Sequence, residues 1–110
     1  MELKEIISIL DLTVVDRSIE LDSEVTGGYS SDLLSHVMGQ ANPGDLWITI
    51  QTHQNIVAVA SLIGLAGIII VDGAELDEET IIKAKEEEIP LLTTELSAYE
   101  IAGRLYKLGV

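Results

Sequence analysis

Three short runs of strand-forming residues dominate the second half of the chain. They are Leu46–Ile50, Gly67–Val71 and Leu91–Thr93, and they consist mostly of Ile, Leu and Val. A strand that is apolar at nearly every position is buried on both faces, as in a parallel sheet covered by helices. A helix is predicted after each run, so the order predicted from Leu46 onward is strand, helix, strand, helix, strand, helix.

The first half of the chain has a more mixed pattern. Apolar residues at helical spacing predict a short amphipathic helix over residues 2–10, and Leu12–Val15 is a short β-rich run. Residues 16–26 are polar and acidic, which indicates an exposed extended segment. Gly27–Gly28 then reads as a break, and Ser31 can cap a helix that follows it.

The later helices carry clear start and stop signals. Residues 42–45, Asn-Pro-Gly-Asp, match a type II turn, and residues 55–65 are apolar on nearly every face, as in a helix buried on two sides. Asp77 is expected to cap the next helix. Ser97–Glu100 has the spacing of a capping box, and the last helix is expected to end at Gly109.

These elements predict a single α/β domain over residues 1–110, with three layers and a mainly parallel β-sheet flanked by helices. A chain of 110 residues is the usual size of one domain, and no Pro-, Gly- or Ser-rich linker divides it. The crossovers between parallel strands are expected to be right-handed.

Charge and composition exclude several classes of function. The chain has 19 acidic and 6 basic residues, a net charge of −13, so we expect it to bind neither nucleic acid nor a membrane surface. It has no cysteine, which excludes disulfide scaffolds and thiolate sites. The acidic start lacks the features of a signal peptide, and the apolar stretch Ile56–Val71 is shorter than the ~20 residues of a spanning helix. We therefore expect a soluble, cytoplasmic protein.

Polar side chains follow each strand of the predicted sheet. In open parallel sheets, ligands bind outside the carboxyl ends of the strands, so these side chains are candidate ligand-binding residues. The alternative is that they only cap the helices that follow. The candidates are Thr52, His53 and Asn55 after the first strand, Asp72 and Gly73 after the second, and Thr94 after the third.

Gly27 and Gly28 form a second candidate site. Two glycines ahead of a helix can bring backbone N–H groups close to an anion. The segment is neither a P-loop nor a dinucleotide fingerprint, since the lysine and the glycine spacing are missing, and Asp32 would oppose a phosphate. The simpler interpretation is a structural turn.

Catalytic and metal-binding patterns are weak. His36 and His53 are far apart in sequence, and there is no Gly-x-Ser-x-Gly elbow. Ligation of a metal by His53 and Asp72 is conceivable, but a histidine at a strand end more often caps a helix. The carboxylates of Asp77–Glu79 and Glu86–Glu88 lie on predicted helix surfaces, where a solvated acidic face is the norm. We predict no catalytic residue and no metal site, and the sequence identifies no cofactor.

The chain resembles a known family along most of its length. Residues 25–35, beginning Val-Thr-Gly-Gly-Tyr-Ser-Ser, resemble the glycine motif of the DRTGG domain. Residues 44–60 resemble the long central motif, and the likeness continues from Ile89 to Leu105. Glu24–Val25 stand where the family has Asp-Arg, so any role of that pair is not expected here.

The resemblance implies an accessory module. The DRTGG domain is an α/β domain similar to the N-terminal domain of HPr kinase/phosphorylase. It occurs as a regulatory insert between CBS modules in some inorganic pyrophosphatases, and also in some phosphotransacetylases. The family has no catalytic residues to carry over. Because the sequence contains no CBS, phosphatase or transferase module, we expect a stand-alone DRTGG domain that dimerises or senses a ligand.

Three hypotheses follow. The first is a non-catalytic regulatory domain that forms a homodimer through the helix over residues 55–65, unless that helix lies centrally on its own sheet. The second is a sensor for a nucleotide or another small metabolite at the carboxyl edge. The third is an enzyme, which would need His36 or His53 beside a hydrogen-bonding partner in a pocket. A partner enzyme is a further expected contact.

Overall fold

Five strands form one sheet in the computed structural model, which describes residues 1–110. Their order across the sheet is β1-β5-β4-β3-β2; neighbours from β2 to β5 are parallel, and β1 is antiparallel to β5. This confirms the mainly parallel sheet predicted from the apolar runs. The strands are β1 (Thr13–Val14), β2 (Gly27–Ser30), β3 (Asp45–Thr49), β4 (Gly67–Ile70) and β5 (Leu91–Thr93).

Helices cover both faces of the sheet, which confirms the three-layer arrangement. One face carries α1 and α5, and the other carries α2, α3 and α4, so that the interior divides into two apolar clusters on opposite sides of the sheet. The helices are α1 (Leu3–Leu10), α2 (Leu34–Gln40), α3 (Asn55–Ile63), α4 (Glu78–Glu87) and α5 (Ala98–Lys107).

The central strands are buried on both faces, as their unbroken apolar sequence requires. In β3, Leu46 and Ile48 pack on the α1–α5 side, and Trp47 between them packs on the α2–α4 side. In β4, Ile69 faces the first cluster while Ile68 faces the second. The alternation of side chains along a strand therefore gives both clusters a share of each central strand.

Helix α3 lies centrally over its own sheet, between α2 and α4. Ile56, Val57 and Ala60 are fully buried there, while Leu62 points outward and is 72% exposed. The alternative noted from the sequence is therefore the observed one, and only a narrow outward strip of α3 remains uncovered. None of the five helices has the length and apolarity needed to cross a bilayer.

Several predicted local signals are confirmed. Gly44 has a φ of 87°, and the Asp45 N–H donates to the Asn42 carbonyl at 3.1 Å, as in the predicted turn. Ser97 Oγ accepts a hydrogen bond from the Glu100 N–H at 3.2 Å and so caps α5.

Three predictions need correction. Gly27 and Gly28 lie inside strand β2 and do not form a turn. Ser31 is not the cap residue of α2, which is Leu33; instead Ser31 Oγ accepts a hydrogen bond from the Leu33 N–H at 3.1 Å just before the helix. The segment of residues 16–26 is not exposed throughout, because Ile19 and Val25 within it are buried.

Candidate functional site

The carboxyl ends of the parallel strands share one edge of the sheet, as predicted, and the candidate groups there are held by their own chain. The Thr52 carbonyl accepts a hydrogen bond from the fully buried Thr80 hydroxyl at 2.6 Å. His53 Nδ1 accepts one from the Asn55 N–H at 3.2 Å at the start of α3. His53 and Asn55 are both exposed.

The loops after β4 and β5 are joined by backbone hydrogen bonds. The Asp72 N–H donates to the Leu96 carbonyl at 2.9 Å, and the Gly73 N–H donates to the Thr94 carbonyl at 3.0 Å. Asp72 and Gly73 both have positive φ, 58° and 63°. These N–H groups are therefore not free to bind an anion, and the Glu95 carboxylate lies directly over Gly73.

Asp32 lies at the same edge of the sheet and links the end of β2 to the end of β3 by hydrogen bonds. Its Oδ1 accepts hydrogen bonds from the Thr49 hydroxyl at 2.8 Å and from the Ile50 N–H at 2.9 Å. The Gln51 side-chain amide donates to the Asp32 carbonyl at 2.9 Å. The loops after β2 and β3 are thus bonded to each other, as are the loops after β4 and β5.

The two imidazoles are not arranged with a carboxylate or hydroxyl partner. His36 and His53 are exposed, and the only side-chain hydrogen bond that either makes is that of His53 with the Asn55 backbone. No group of three His, Asp or Glu side chains is placed to hold a metal ion.

The glycine pair in β2 makes room for two neighbours, one on each face of the strand. A Cβ atom on Gly27 would lie 2.6 Å from Asp45 Oδ1, and one on Gly28 would lie 2.8 Å from Leu105 Cδ2. Both distances are too short for any other residue without movement. Strand β2 therefore passes closely between the Asp45 carboxylate and helix α5.

A cavity of about 470 Å³ opens beside β2, and we call it the edge cavity. Its volume lies within the range of small-molecule sites, roughly 300–1,000 Å³. Its walls combine apolar, aromatic and polar groups from β2, β3, the turn before β3 and the end of α5. They include Gly27, Gly28, Tyr29, Asn42, Asp45, Leu105 and Tyr106.

Asp45 is the charged residue of the edge cavity. Only 6% of its surface is exposed, yet it forms no ion pair with Lys or Arg. Its Oδ2 accepts a hydrogen bond from the Asn42 N–H at 2.9 Å. No donor within the protein reaches Oδ1, which keeps contact with solvent. Reasoning from the sequence missed this residue, although its position at the end of the turn of residues 42–45 is a usable signal.

The sequence profile of the DRTGG domain matches residues 5–108. The chain belongs to the DRTGG domain family. No curated protein sequence matches it.

This DRTGG domain is similar in fold to a larger solved structure. That structure is the crystal structure of the CBS and DRTGG domains of the regulatory region of Clostridium perfringens pyrophosphatase, complexed with its activator, diadenosine tetraphosphate. The TM-score is 0.67 and the sequence identity 19%. The match covers 94% of this chain and 44% of the other, so the chain spans less than half of that structure's length. At this identity the likeness concerns the fold alone.

The motif that gives the DRTGG domain its name occupies β2 and the residues before it. Val25, which stands in place of the family's arginine, is 2% exposed and packs in the α1–α5 cluster. Glu24, in place of the aspartate, is exposed and pairs with the ammonium group of Met1. This hydrogen bond to Glu24 raises the pKa of the Met1 ammonium above its usual value. Glu24 therefore binds the N-terminus, and Val25 contributes to the apolar core.

The outer edge of this DRTGG domain is unprotected at β2, which pairs with β3 alone. Beside it, Tyr106 of α5 is 84% exposed and also lines the edge cavity. Further along α5, Tyr99 is 89% exposed, and Gly103 lies in a groove between the two tyrosines. We call the free edge of β2 together with Tyr99, Gly103 and Tyr106 the edge surface.

Proposed function

We propose that this DRTGG domain is a non-catalytic regulatory module that forms a homodimer through the edge surface and acts on a partner enzyme in the cytoplasm. The support for a regulatory role is its family, since the DRTGG domain of the similar solved structure belongs to the regulatory region of a pyrophosphatase. The proposal of self-association rests on the open edge of β2, which pairs with no strand on its outer side.

An edge strand exposes a row of backbone N–H and C=O groups that can pair with another chain. Natural proteins usually protect such edges with lysine, proline or a covering segment. Residues 26–31 contain no charged residue and no proline. Two copies related by a twofold axis can pair their β2 strands antiparallel, which satisfies these groups and joins the two sheets.

Charge favours the same surface. The domain carries a net charge of −13, so most pairs of surface patches repel each other. Strand β2 is uncharged, and α5 carries Arg104 and Lys107 against a single carboxylate, Glu100. Two copies meeting at the edge surface therefore bring few carboxylates together.

Gly103 adds a further argument for a close neighbour. A glycine inside a helix costs roughly 0.5–1 kcal/mol relative to alanine. Apart from its two neighbours and the nearby backbone of α5 itself, no atom of this chain lies within 4 Å of the place where its Cβ would stand, so no packing contact in the chain requires a glycine there. A second copy packed closely against α5 would account for the glycine at position 103.

Sedimentation velocity from ~1 to ~100 µM, a range that spans ordinary interface affinities, tests the proposal. We expect a concentration-dependent dimer. The variant Ser30→Lys places a lysine on the exposed end of β2, where a charged side chain protects an edge strand from pairing with another chain. It should raise the dissociation constant by about tenfold or more, which corresponds to ~1.4 kcal/mol.

The matched control is Ser61→Lys, which makes the same change on the exposed strip of α3. It should leave the dissociation constant unchanged. A wild-type protein that stays monomeric over the whole range would refute self-association. Dissociation by Ser61→Lys but not by Ser30→Lys would place the interface on α3 and refute the assignment to β2.

A second candidate function is the sensing of a nucleotide at the carboxyl edge, around the exposed side chains of His53 and Asn55 at the start of α3. It is favoured by the ligand of the similar solved structure, diadenosine tetraphosphate. Thermal-shift measurements with this compound, ATP and AMP, each with and without magnesium, test it. A ligand at ~100 times its dissociation constant should raise the melting temperature by roughly 10 °C. No shift with any of them would refute this candidate.

A further inference from the structure

The environment of Asp45 is unusual for a carboxylate with a purely structural role. The residue is more than nine-tenths buried, while its Oδ1 keeps contact with solvent and can accept a hydrogen bond from outside the protein. The Asn42 N–H satisfies Oδ2 only. Oδ1 lies beside Gly27, and both residues line the edge cavity. The cavity thus presents one unpaired carboxylate oxygen to whatever occupies it.

The walls around this oxygen define the shape and polarity of a matching ligand. Gly27, Tyr29 and Asn42 border the cavity on the face of β2 where the Asp45 carboxylate lies, whereas Ile48 and Leu105 border it on the opposite face. The glycines of β2 leave its floor free of side chains. Tyrosine rings attract cations over their faces, so aromatic walls next to a carboxylate favour a positively charged, partly apolar guest.

The charge of the surroundings points the same way. No Lys or Arg forms an ion pair with Asp45, and the protein as a whole carries −13. A phosphate placed beside Asp45 would be repelled, whereas a cation would be attracted. The edge cavity therefore differs in chemistry from a nucleotide-phosphate site.

We infer that the edge cavity binds a small organic cation, an amine or amidine on an apolar or aromatic frame, whose N–H group donates to Asp45 Oδ1. The charge-assisted hydrogen bond gives the ligand its orientation, and the ring of Tyr29, on the same face of β2 as Asp45, contacts its frame. This site adds to the proposed function and does not depend on it. Because the cavity opens at the edge surface, an occupied cavity would also alter the contact that a second copy makes.

Titration of the ¹⁵N-labelled protein with benzamidinium, followed by NMR, tests the inference without any activity assay. We expect saturable shifts of the Gly27, Gly28 and Asn42 amides, with a dissociation constant of ~1 mM for so small a probe. Benzamide has the same shape without the charge, and it should bind about tenfold more weakly or worse.

The variant Asp45→Asn keeps an oxygen for the Asn42 N–H and replaces the free oxygen with a donor, so it should lose benzamidinium binding by about tenfold or more. Asp72→Asn is the matched control: it removes the same charge at an exposed position with positive φ, which asparagine tolerates, and binding should persist. Sedimentation of the same samples reports self-association separately.

Three results would overturn the inference: no saturable shift at the glycine amides, equal binding of benzamide and benzamidinium, or undiminished binding by a folded Asp45→Asn variant. The comparison of the two probes uses only the wild-type protein, so it decides the question even if Asp45→Asn fails to fold. Absence of self-association in the protein without benzamidinium, together with saturable benzamidinium binding, would refute the homodimer alone.

Discussion

Replacing Gly28 with alanine tests whether helix α5 holds β2 in place by close packing. The new Cβ would lie 2.8 Å from Leu105 Cδ2. Leu105 is only 3% exposed, so its side chain cannot move away without disturbing the core. Overpacking of this kind costs about 1–3 kcal/mol, and the loss of glycine's freedom in the unfolded chain offsets about 0.4–1 kcal/mol. The net loss of unfolding free energy should be about 1–2 kcal/mol.

Gly103→Ala is the matched control, because it makes the same chemical change with no atom within 4 Å of the new Cβ. It should raise the unfolding free energy by about 0.5–1 kcal/mol through better helix propensity. The two variants should therefore differ by about 2 kcal/mol, or roughly 8 °C in melting temperature.

Urea denaturation at ~1 µM, with the fluorescence of Trp47 as the signal, measures these differences at the low end of the concentration range in which the dimer is tested. Trp47 is the only tryptophan and is fully buried. Shortening the neighbour in Gly28→Ala/Leu105→Val should recover at least about 0.5 kcal/mol relative to the sum of the single changes. A Gly28→Ala protein as stable as Gly103→Ala would refute the packing role of the motif.

Two further perturbations test individual hydrogen bonds. Thr80→Val removes the buried hydroxyl that donates to the Thr52 carbonyl and should lower the unfolding free energy by about 1 kcal/mol in urea denaturation; an unchanged value would count against that bond. The Ser18 hydroxyl holds the pKa of Asp16 below its ordinary 3.8, so Ser18→Ala should raise that pKa toward 3.8 in an NMR titration. Since the folded pKa is the lower one, the bond's stabilising effect is complete above about pH 3.8 and is lost as the pH falls through the folded pKa; an unshifted titration would contradict it.

The sheet could be predicted from sequence because its signal is local. The runs around Leu46–Ile50 and Gly67–Val71 are apolar at successive positions, and only strands buried on both faces need such a sequence. The type II turn before β3 could be predicted for a similar reason, since Pro43 and Gly44 meet its backbone requirements by themselves.

Strand β2 could not be predicted in this way, because the reason for its glycines lies in distant parts of the chain. Asp45 and Leu105 are 18 and 77 residues away from the glycines that accommodate them, and no local pattern records either contact. Without those neighbours, Gly27–Gly28 has the composition of a turn.

The positions of the candidate side chains could be predicted only at the level of topology. The rule for parallel sheets brings Thr52, Asp72 and Thr94 to one edge, and the structure places them there. The rule does not say whether backbone groups at that edge are free, and here the loops bond to each other. The unpaired oxygen of Asp45, at the opposite end of β3, follows from tertiary packing that the sequence does not display.

The most direct test of the homodimer proposal is the concentration dependence of the Gly27 and Gly28 amide signals. Their ¹⁵N–¹H resonances can be followed from ~20 µM to ~1 mM, which spans weak to moderate association. Pairing of β2 with a second copy predicts that these signals move with concentration in wild-type protein and stay fixed in Ser30→Lys. Signals that stay fixed while the protein dimerises, with movement at Ser61 and Leu62 instead, would contradict self-association through β2.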